Sequence, residues 1–231
     1  MGNRELVRER RKQQQAKKNL TTMLIIGALI LVVVGIVIAT QYKPVGAINS
    51  SDRVYTVDKN GLSLGSADAP VKVVEFADFQ CPACKTYWLS LEPTIIEEYV
   101  ATGKVQYIYS PFSFLGRGQV WDESKKAAEA AYCANDQQMF WEYRDMIYVN
   151  HNGENGGAYS KERLIAFADT LGLDMDTFKS CFNSGKYTQA VEDANTFATS
   201  QGASYTPSFL IDGKIVNANE LIPAIEESLA D

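Results

Sequence analysis

Two cysteines separated by two residues follow directly after a β-branched, apolar stretch of the chain. Cys81 and Cys84 come after residues 71–76, whose sequence VKVVEF predicts a buried strand. Pro82 suits the first turn of a helix, where the missing N–H costs no hydrogen bond. A thiolate at a helix N-terminus is stabilised by free N–H groups and by the helix dipole. We therefore expect Cys81 to be a redox nucleophile and Cys84, one turn further on, to resolve its mixed disulfides.

A zinc site and a purely structural disulfide are the two alternative roles for this pair. Zinc takes four ligands, and the remaining candidates, Cys133, Cys181 and His151, are not spaced as ligand pairs. The position of the pair between a strand and a helix favours dithiol chemistry over both alternatives. The sequence contains no flavin, haem or metal motif. We expect electrons to pass by thiol exchange alone, without a cofactor.

An uncharged apolar segment near the N-terminus, residues 20–40, is long enough to cross a hydrocarbon layer of about 30 Å. Seven Lys and Arg residues precede it and only Lys43 follows closely, which predicts a cytoplasmic N-terminus. We predict a basic cytoplasmic segment over residues 1–19 and a single transmembrane anchor over residues 20–41. A cleaved signal peptide is the alternative, because small residues at the end of the segment fit a cleavage pattern, although signal h-regions are usually shorter.

Charge is unevenly distributed along the chain. Residues 1–42 contain 7 of the 22 Lys and Arg residues and 2 of the 28 Asp and Glu residues, which leaves the remainder with a net charge of −11. Such an acidic domain is unsuited to nucleic acid, whose phosphates are neutralised by Lys and Arg. The charge favours a soluble extracytoplasmic domain, and an oxidising compartment allows cysteine pairs to persist as disulfides.

After the apolar segment, we predict a linker with an edge strand over residues 42–64 and one α/β domain over residues 65–231. Helical periodicity fills about residues 119–201, between strand signals on either side. The predicted order is a βαβ unit, an all-helical block and a ββα unit. The strands are expected at residues 71–76, 105–109, 208–211 and 214–217, and the helices at residues 82–102, 121–134, 137–149, 160–171, 174–184, 186–201 and from 219.

Several separate motifs resemble those of DsbA-like proteins, the membrane-anchored or secreted thiol:disulfide oxidoreductases with a thioredoxin fold. They are Val74-Glu75-Phe76 before Cys81-Pro82-Ala83-Cys84, then Phe140-Trp141-Glu142-Tyr143, Gly172-Leu173-Asp174 and Thr206-Pro207-Ser208-Phe209. The resemblance covers about residues 55–231. It implies a thioredoxin fold with the helical block inserted between its two halves.

The resemblance also implies roles for Thr206 and Pro207. Pro207 is expected to be cis and to place the backbone of Thr206 beside the sulfurs, where an extended substrate pairs with it as an added strand. An ordinary trans proline at the start of a strand is the alternative, and is the commoner case for X-Pro bonds in general.

Glu75 is expected to point under the active-site helix as a buried carboxyl group that exchanges the proton of Cys84, as the corresponding acid does in similar proteins. A solvated charge at the strand end is the alternative reading. We interpret Asp78 as a loop residue and His151, the only histidine, as a surface residue. Ala83 stands where strongly oxidising relatives have a histidine, which predicts a weaker oxidant.

The two remaining cysteines, Cys133 and Cys181, lie on predicted helices of the inserted block. In an extracytoplasmic protein with four cysteines, we expect them to form a structural disulfide with one another. Two buried free thiols that act as small apolar residues are the alternative.

The sequence therefore predicts a membrane-tethered enzyme that introduces disulfides into exported cysteine-containing polypeptides. By resemblance, a quinone-linked membrane partner is expected to reoxidise it. A reductase or disulfide isomerase of the same fold is one alternative, because the direction depends on the reduction potential. A holdase or protein-binding domain without turnover is another.

Overall fold

The computed structural model describes residues 2–41 and 45–230, and the chain divides into two compact units, Met1–Gly46 and Ala47–Asp231. The first unit is one long helix, α1, Asn3–Gln41. Within it, Lys17–Val37 is long and apolar enough to cross a membrane. The helix begins well before the predicted anchor at residue 20, because the preceding Arg, Lys, Gln and Glu residues favour helix formation.

The second unit is built on a mixed sheet of six strands in the order β1-β2-β4-β3-β5-β6. Central β3 pairs in parallel with β4 and antiparallel with β5. Because Asp212 and Gly213 both have positive φ, they form the tight turn predicted between β5 and β6. The strands are β1 Lys59–Asn60, β2 Ser63–Leu64, β3 Val71–Ala77, β4 Val105–Pro111, β5 Ser208–Ile211 and β6 Lys214–Val216.

The helices follow the predicted order, which confirms the βαβ, helical block and ββα arrangement. The first crossover is broken near Pro93 into α2, α3 and a π-helical turn at Ile96–Val100. Five helices from α4 to α8 make up the inserted block. The helices are α2 Pro82–Ser90, α3 Glu92–Ile95, α4 Glu123–Asn135, α5 Phe140–Val149, α6 Lys161–Thr170, α7 Met175–Ser184, α8 Thr188–Ser200 and α9 Leu221–Ala230.

Successive residues of β3 serve the two faces of the sheet, as strand geometry requires. The Phe76 ring lies 5.7 Å from that of Phe197 on α8. Its neighbour Glu75 points to the opposite face, where Tyr107 contacts it. Strand β3 therefore carries an acidic side chain into the core directly before the loop that leads to Cys81.

The segment before β1 belongs to the second unit, which begins at Ala47 and not at the predicted boundary of residue 65. We name residues 47–58 the N-terminal strap. Side chains of the strap, Ile48, Tyr55 and Val57, pack against the main core. The predicted linker therefore extends too far into the second unit. Its apolar residues alternate with Ser, Asp and Asn, and the sequence alone does not reveal what they pack against.

Candidate active site

The two active-site cysteines lie where β3 gives way to α2. Cys81 is the N-cap residue of α2, and Pro82 occupies the first turn. The backbone N–H of Cys81 donates to the carbonyl oxygen of Asp78 over 3.0 Å, which closes the turn between strand and helix. Cys81 is 8% exposed and Cys84 is completely buried. The structure thus places one sulfur within reach of a substrate and one behind it.

Hydrogen bonds around Cys81 favour its thiolate. They lower the pKa of Cys81 from 9.0 to about 6, with the Cys84 thiol as the largest contributor, against an opposing effect of burial. The Thr206 side chain and the backbone N–H groups of Ala83 and Cys84 contribute further. Free N–H groups at a helix N-terminus have this effect in general. Near neutral pH, Cys81 is therefore the nucleophilic sulfur of the pair.

Cys84 has the opposite electrostatic character. Burial raises the pKa of Cys84 well above its ordinary value, and the neighbouring Cys81 and Glu75 raise it further. Its thiol stays protonated until the attack of Cys81 has removed a negative charge from the site. The difference between the two sulfurs orders the chemistry, because only Cys81 is ready to attack first.

The loop before β5 completes the sulfur site. The Thr206–Pro207 peptide bond is cis. The Cys81 thiol donates to the carbonyl oxygen of Thr206 over 3.3 Å, across 125 positions of sequence. Pro207 is buried, and it also borders a groove of about 500 Å³ beside α2. That groove is lined by Ala83, Thr86, Tyr87, Ser90, Leu91, Pro207, Ala218 and Asn219.

Glu75 is 2% exposed and lies in the interior below the cysteines. The Tyr107 hydroxyl donates to its Oε2 over 2.7 Å, and Arg144 Nη1 lies 4.0 Å from the same oxygen. Burial, followed by repulsion from Glu92, raises the pKa of Glu75 from 4.5 to about 8. A carboxyl group with such a pKa can hold a proton at neutral pH and release it when the local charge changes.

Beside Glu75 lies a group of charged side chains that the sequence did not predict. We name its four members, Arg53, Glu92, Arg144 and Asp145, the buried charge cluster. Arg144 donates to both carboxylate oxygens of Glu92, over 2.5 Å and 2.8 Å, and to Asp145 over 3.0 Å. Arg53 of the N-terminal strap also pairs with Glu92. The one available signal was the Arg144-Asp145 pair within helix α5, whose other residues, apart from Glu142, are apolar or aromatic.

The loop between β3 and α2 is held by polar side chains that sequence reasoning undervalued. Asp78 is a loop residue, as predicted, but it is fully buried. Its carboxylate accepts from Ser124 over 2.7 Å and from the backbone N–H groups of Gln80, Phe114 and Leu115. These bonds anchor the active-site loop to the inserted helical block.

His151 is half-buried, and its contact with the active-site loop was not predicted from the sequence. Its Nε2 lies 2.8 Å from the carbonyl oxygen of Gln80, next to Cys81. The N–H of Gly153 donates to Nδ1, which leaves the proton on Nε2 to donate to Gln80. The Gly- and Asn-rich loop around His151 is long enough to fold back onto the active-site loop, a long-range contact that local sequence does not reveal.

The other two cysteines lie apart from the active-site pair. Cys133 of α4 and Cys181 of α7 form a disulfide, with an S–S distance of 1.99 Å and a Cα–Cα distance of 5.8 Å. Both residues are buried within the main core. The bridge connects two helices of the inserted block.

This fold, with a Cys-x-x-Cys pair at a helix N-terminus, defines the class of thioredoxin-fold dithiol oxidoreductases. The family model described as thioredoxin matches residues 57–230. "Probable disulfide bond formation protein D" of Bacillus anthracis is 34% identical over 171 residues, which are 72% of this chain and 77% of that relative. The chain belongs to the thioredoxin family and, within it, to the DsbA-like thiol:disulfide oxidoreductases.

Solved structures show the same fold. The crystal structure of oxidised BdbD from Bacillus subtilis matches with a TM-score of 0.66 and 22% identity, over 74% of this chain and 94% of that one. DsbA of Chlamydia trachomatis matches with a TM-score of 0.61 and 19% identity, over 78% and 96% of the two chains. With its relative named disulfide bond formation protein D, the chain is a thiol:disulfide oxidoreductase that acts on polypeptides containing cysteine.

Proposed function

We propose that this oxidoreductase works as a disulfide donor to exported polypeptides. The observation that carries the proposal is the lowered pKa of Cys81, about 6, beside the raised pKa of Cys84. A stabilised thiolate favours the reduced form of the pair, and a pair that is stable when reduced gives its disulfide away readily. The relative named disulfide bond formation protein D supports the same direction.

In the proposed reaction, a substrate thiolate attacks the sulfur of Cys81 and the Cys81–Cys84 bond breaks. The bonding electron pair goes to Cys84, which takes a proton from the carboxylic acid of Glu75. A second substrate thiolate then attacks the substrate sulfur of the mixed disulfide and releases Cys81 as a thiolate. The substrate loses two electrons and the enzyme gains them, so each turnover forms one substrate disulfide.

Substrate contacts are assigned to the loop before β5 and to the adjacent groove. The carbonyl group of Thr206 lies beside Cys81 and can accept from the backbone of an extended polypeptide. Pro207 and the exposed Ala83 border both the sulfur and the groove. A groove open at one side suits an unfolded polypeptide, which presents its cysteine together with neighbouring side chains.

We propose that α1 anchors the enzyme in the cell membrane as a single span. The apolar part, Lys17–Val37, and the basic residues before it support a cytoplasmic N-terminus and an extracytoplasmic catalytic unit. A quinone-linked membrane protein then accepts two electrons from the reduced pair. Protease added to right-side-out vesicles should digest the catalytic unit, whereas a soluble mature protein that begins near residue 40 or 48 would show cleavage instead.

The direction of the reaction is tested by equilibrating the full-length chain, in detergent, with reduced and oxidised glutathione. A disulfide donor should have a potential nearer to about −120 mV than to about −270 mV. The absence of a histidine at Ala83 predicts a value less extreme than that of the strongest oxidants. A potential near about −270 mV would instead assign a reductase. A Cys81→Ala variant with full cellular function would assign a binding role without turnover.

A further inference from the structure

The N-terminal strap, residues 47–58, reaches the interior of the catalytic unit although it lies outside the sheet and its helices. The backbone N–H of Asn49 donates to Asn150 Oδ1 over 2.9 Å, and the Asn150 amide donates back to the Asn49 carbonyl over 2.8 Å. Ile48 and Val57 pack on the main core. The strap is therefore docked along its length and presents its polar side chains at fixed positions.

Two of those side chains enter the buried charge cluster. Arg53 pairs with Glu92, donates to the Trp88 carbonyl oxygen over 2.6 Å, and lies 4.5 Å from the Trp88 ring. The Tyr55 hydroxyl donates to Asp145 over 2.8 Å and accepts from Arg144 over 2.8 Å. The strap thus supplies one positive charge and one hydroxyl group to the buried charge cluster.

The donors of Arg144 are directed mainly at other groups than Glu75. Both terminal nitrogens bond Glu92, and one also bonds Asp145 and Tyr55. Glu75 lies 4.0 Å from the guanidinium, beyond a hydrogen bond. An opposite charge in direct contact favours the ionised form of a carboxyl group. Glu92 and Asp145 therefore limit how strongly Arg144 stabilises the carboxylate of Glu75.

We propose that Arg53 and Tyr55 of the N-terminal strap are positioning residues for catalysis. Arg53 shares the carboxylate of Glu92 with Arg144, and Tyr55 contacts both Arg144 and Asp145, so that they set how strongly Arg144 acts on Glu75 as it carries the proton of Cys84. The inference rests on the proposed function of Glu75. When Glu75 is protonated, the remaining carboxylates of Glu92 and Asp145 balance the two guanidinium groups, which explains how the cluster tolerates the burial of Glu92, Arg144 and Asp145.

Two substitutions in the buried charge cluster are expected to shift the ionisation of Glu75 in opposite directions. Glu92→Gln removes a repelling charge and frees Arg144, so the carboxylate of Glu75 becomes easier to form. Arg53→Gln leaves Glu92 with one partner fewer, so Glu92 draws more on Arg144 and Glu75 becomes harder to ionise. Other groups that interact with Glu75 remain unchanged in both variants; they are Tyr87, Tyr107, Tyr109, Tyr148, Cys81 and Cys84.

The experiment follows the second step of oxidation of the full-length chain by oxidised glutathione. In that step, Cys84 gives its proton to the carboxylate of Glu75 and attacks Cys81, and glutathione leaves as a thiolate. The rate should rise with pH through a midpoint set by Glu75. We expect Glu92→Gln to lower that midpoint by about one unit or more, and Arg53→Gln to raise it by less.

Matched variants separate positioning from loss of structure. Arg53→Lys keeps the charge, so its pH midpoint should lie close to that of the parent chain. Thermal unfolding reports whether each variant is folded. In a Glu75→Gln background, Arg53→Gln should leave the pH profile unchanged. Should Glu92→Gln fail to fold, Arg53→Gln, whose side chain is 20% exposed, decides alone.

Two results have distinct meanings. A folded Arg53→Gln protein with an unmoved midpoint, or the same shift in the Glu75→Gln background, overturns the role of the strap. A Glu75→Gln protein with an unchanged pH profile overturns the proposed role of Glu75 itself, and leaves the cluster with a structural function only.

Discussion

The two cysteine pairs differ in chemistry although both are buried. Cys81 and Cys84 are 8% and 0% exposed, and Cys133 and Cys181 are 1% and 7% exposed. The first pair lies at a helix N-terminus beside Thr206 and above Glu75, so that donors and a titratable carboxyl group surround the sulfurs. Burial therefore does not distinguish a reactive cysteine pair from a structural one. The polar groups around the sulfurs make the difference.

The second pair lies between helices that meet through small and aromatic side chains. Around Cys133, α4 buries five alanines, Ala127, Ala128, Ala130, Ala131 and Ala134. Near Cys181, α7 buries Phe178 and Phe182. Small side chains allow α4 and α7 to approach closely enough for the bridge, which closes a separation of 48 residues. We infer that this pair serves stability and not electron transfer.

The largest expected effect comes from removing the sulfur of Cys81, the more accessible of the active-site pair. Cys81→Ser should reduce oxidative refolding of a reduced, cysteine-containing test protein to the uncatalysed rate, because no other sulfur at the site is exposed to attack. Cys84→Ser, first converted at Cys81 to a mixed disulfide with glutathione, should exchange the glutathione for a substrate thiol and then retain the substrate, visible by mass spectrometry as an adduct of the intact protein.

The matched control for this loss is the Cys133→Ser, Cys181→Ser double variant, which should keep its refolding activity in proportion to its folded fraction. The comparison between the pairs would fail if the double variant lost turnover while fully folded. It would also fail if mild reduction followed by alkylation labelled all four cysteines equally.

The second effect is on stability. Closing a loop of 48 residues with the Cys133–Cys181 bridge stabilises the folded chain by about 4 kcal/mol in the chain-entropy model. The double serine variant should lose an amount of that order in denaturant unfolding, with a somewhat larger m-value because the unfolded chain without the bridge exposes more surface. Reducing Cys81–Cys84 alone, in the native protein, should have a much smaller effect because its loop is short.

The sequence predicted those parts of the site that depend on local geometry. A strand, a Cys-x-x-Cys pair and Pro82 within a few residues define the helix N-terminus, and the Asp212-Gly213 turn fixes the last hairpin. These features need no knowledge of distant contacts. The burial of Glu75 was expected only from the resemblance to DsbA-like proteins, because the alternation of side chains along a strand with both faces covered is ambiguous.

The parts that escaped prediction join segments far apart in the chain. Arg53 meets Glu92 across 39 positions and Tyr55 meets Asp145 across 90 positions. Charged residues are usually exposed, so the sequence alone assigns each of them to the surface. Only the folded arrangement shows that four charges share one interior site, and that the strap belongs to the catalytic unit.

The third prediction isolates the carboxyl group that distinguishes the active-site pair. The pKa of Glu75 is raised from 4.5 to about 8, so in this window the folded state holds a proton that the unfolded state has lost. The contribution of Glu75 to the free energy of unfolding should therefore be fully present below about pH 4.5. It should fall as the pH rises towards about 8, by up to about 1.4 kcal/mol per pH unit.

The measurement is denaturant unfolding of the oxidised protein at about pH 6 and about pH 7, where neither active-site cysteine titrates because both are in the disulfide. The Glu75→Gln variant keeps the shape of the side chain without its titration. It should show a flatter dependence on pH than the parent chain. Parallel curves for the two proteins would place Glu75 in an ordinary solvated state and remove the difference between the two regions that depends on it.

The smallest expected effect tests one hydrogen bond at Cys81. The Thr206 side chain helps to lower the pKa of Cys81 to about 6, after the larger contribution of the Cys84 thiol. Thr206→Val removes the hydroxyl group but keeps the β-branched shape, so the pKa of Cys81 should rise by up to about one unit. The pKa is measured in the reduced full-length chain from the ultraviolet absorbance of the thiolate.

Thr206→Ser is the matched control for this last variant, because it retains the hydroxyl group and should keep the pKa of Cys81 near that of the parent chain. The lost hydrogen bond stabilises the thiolate more than the disulfide, so Thr206→Val should also make the pair a weaker oxidant in equilibrium with glutathione. A raised pKa with an unchanged potential would mean that thiolate stabilisation does not set the redox balance of the pair. Equal pKa values in the valine and serine variants would place the stabilisation in the helix N-terminus and Cys84 alone.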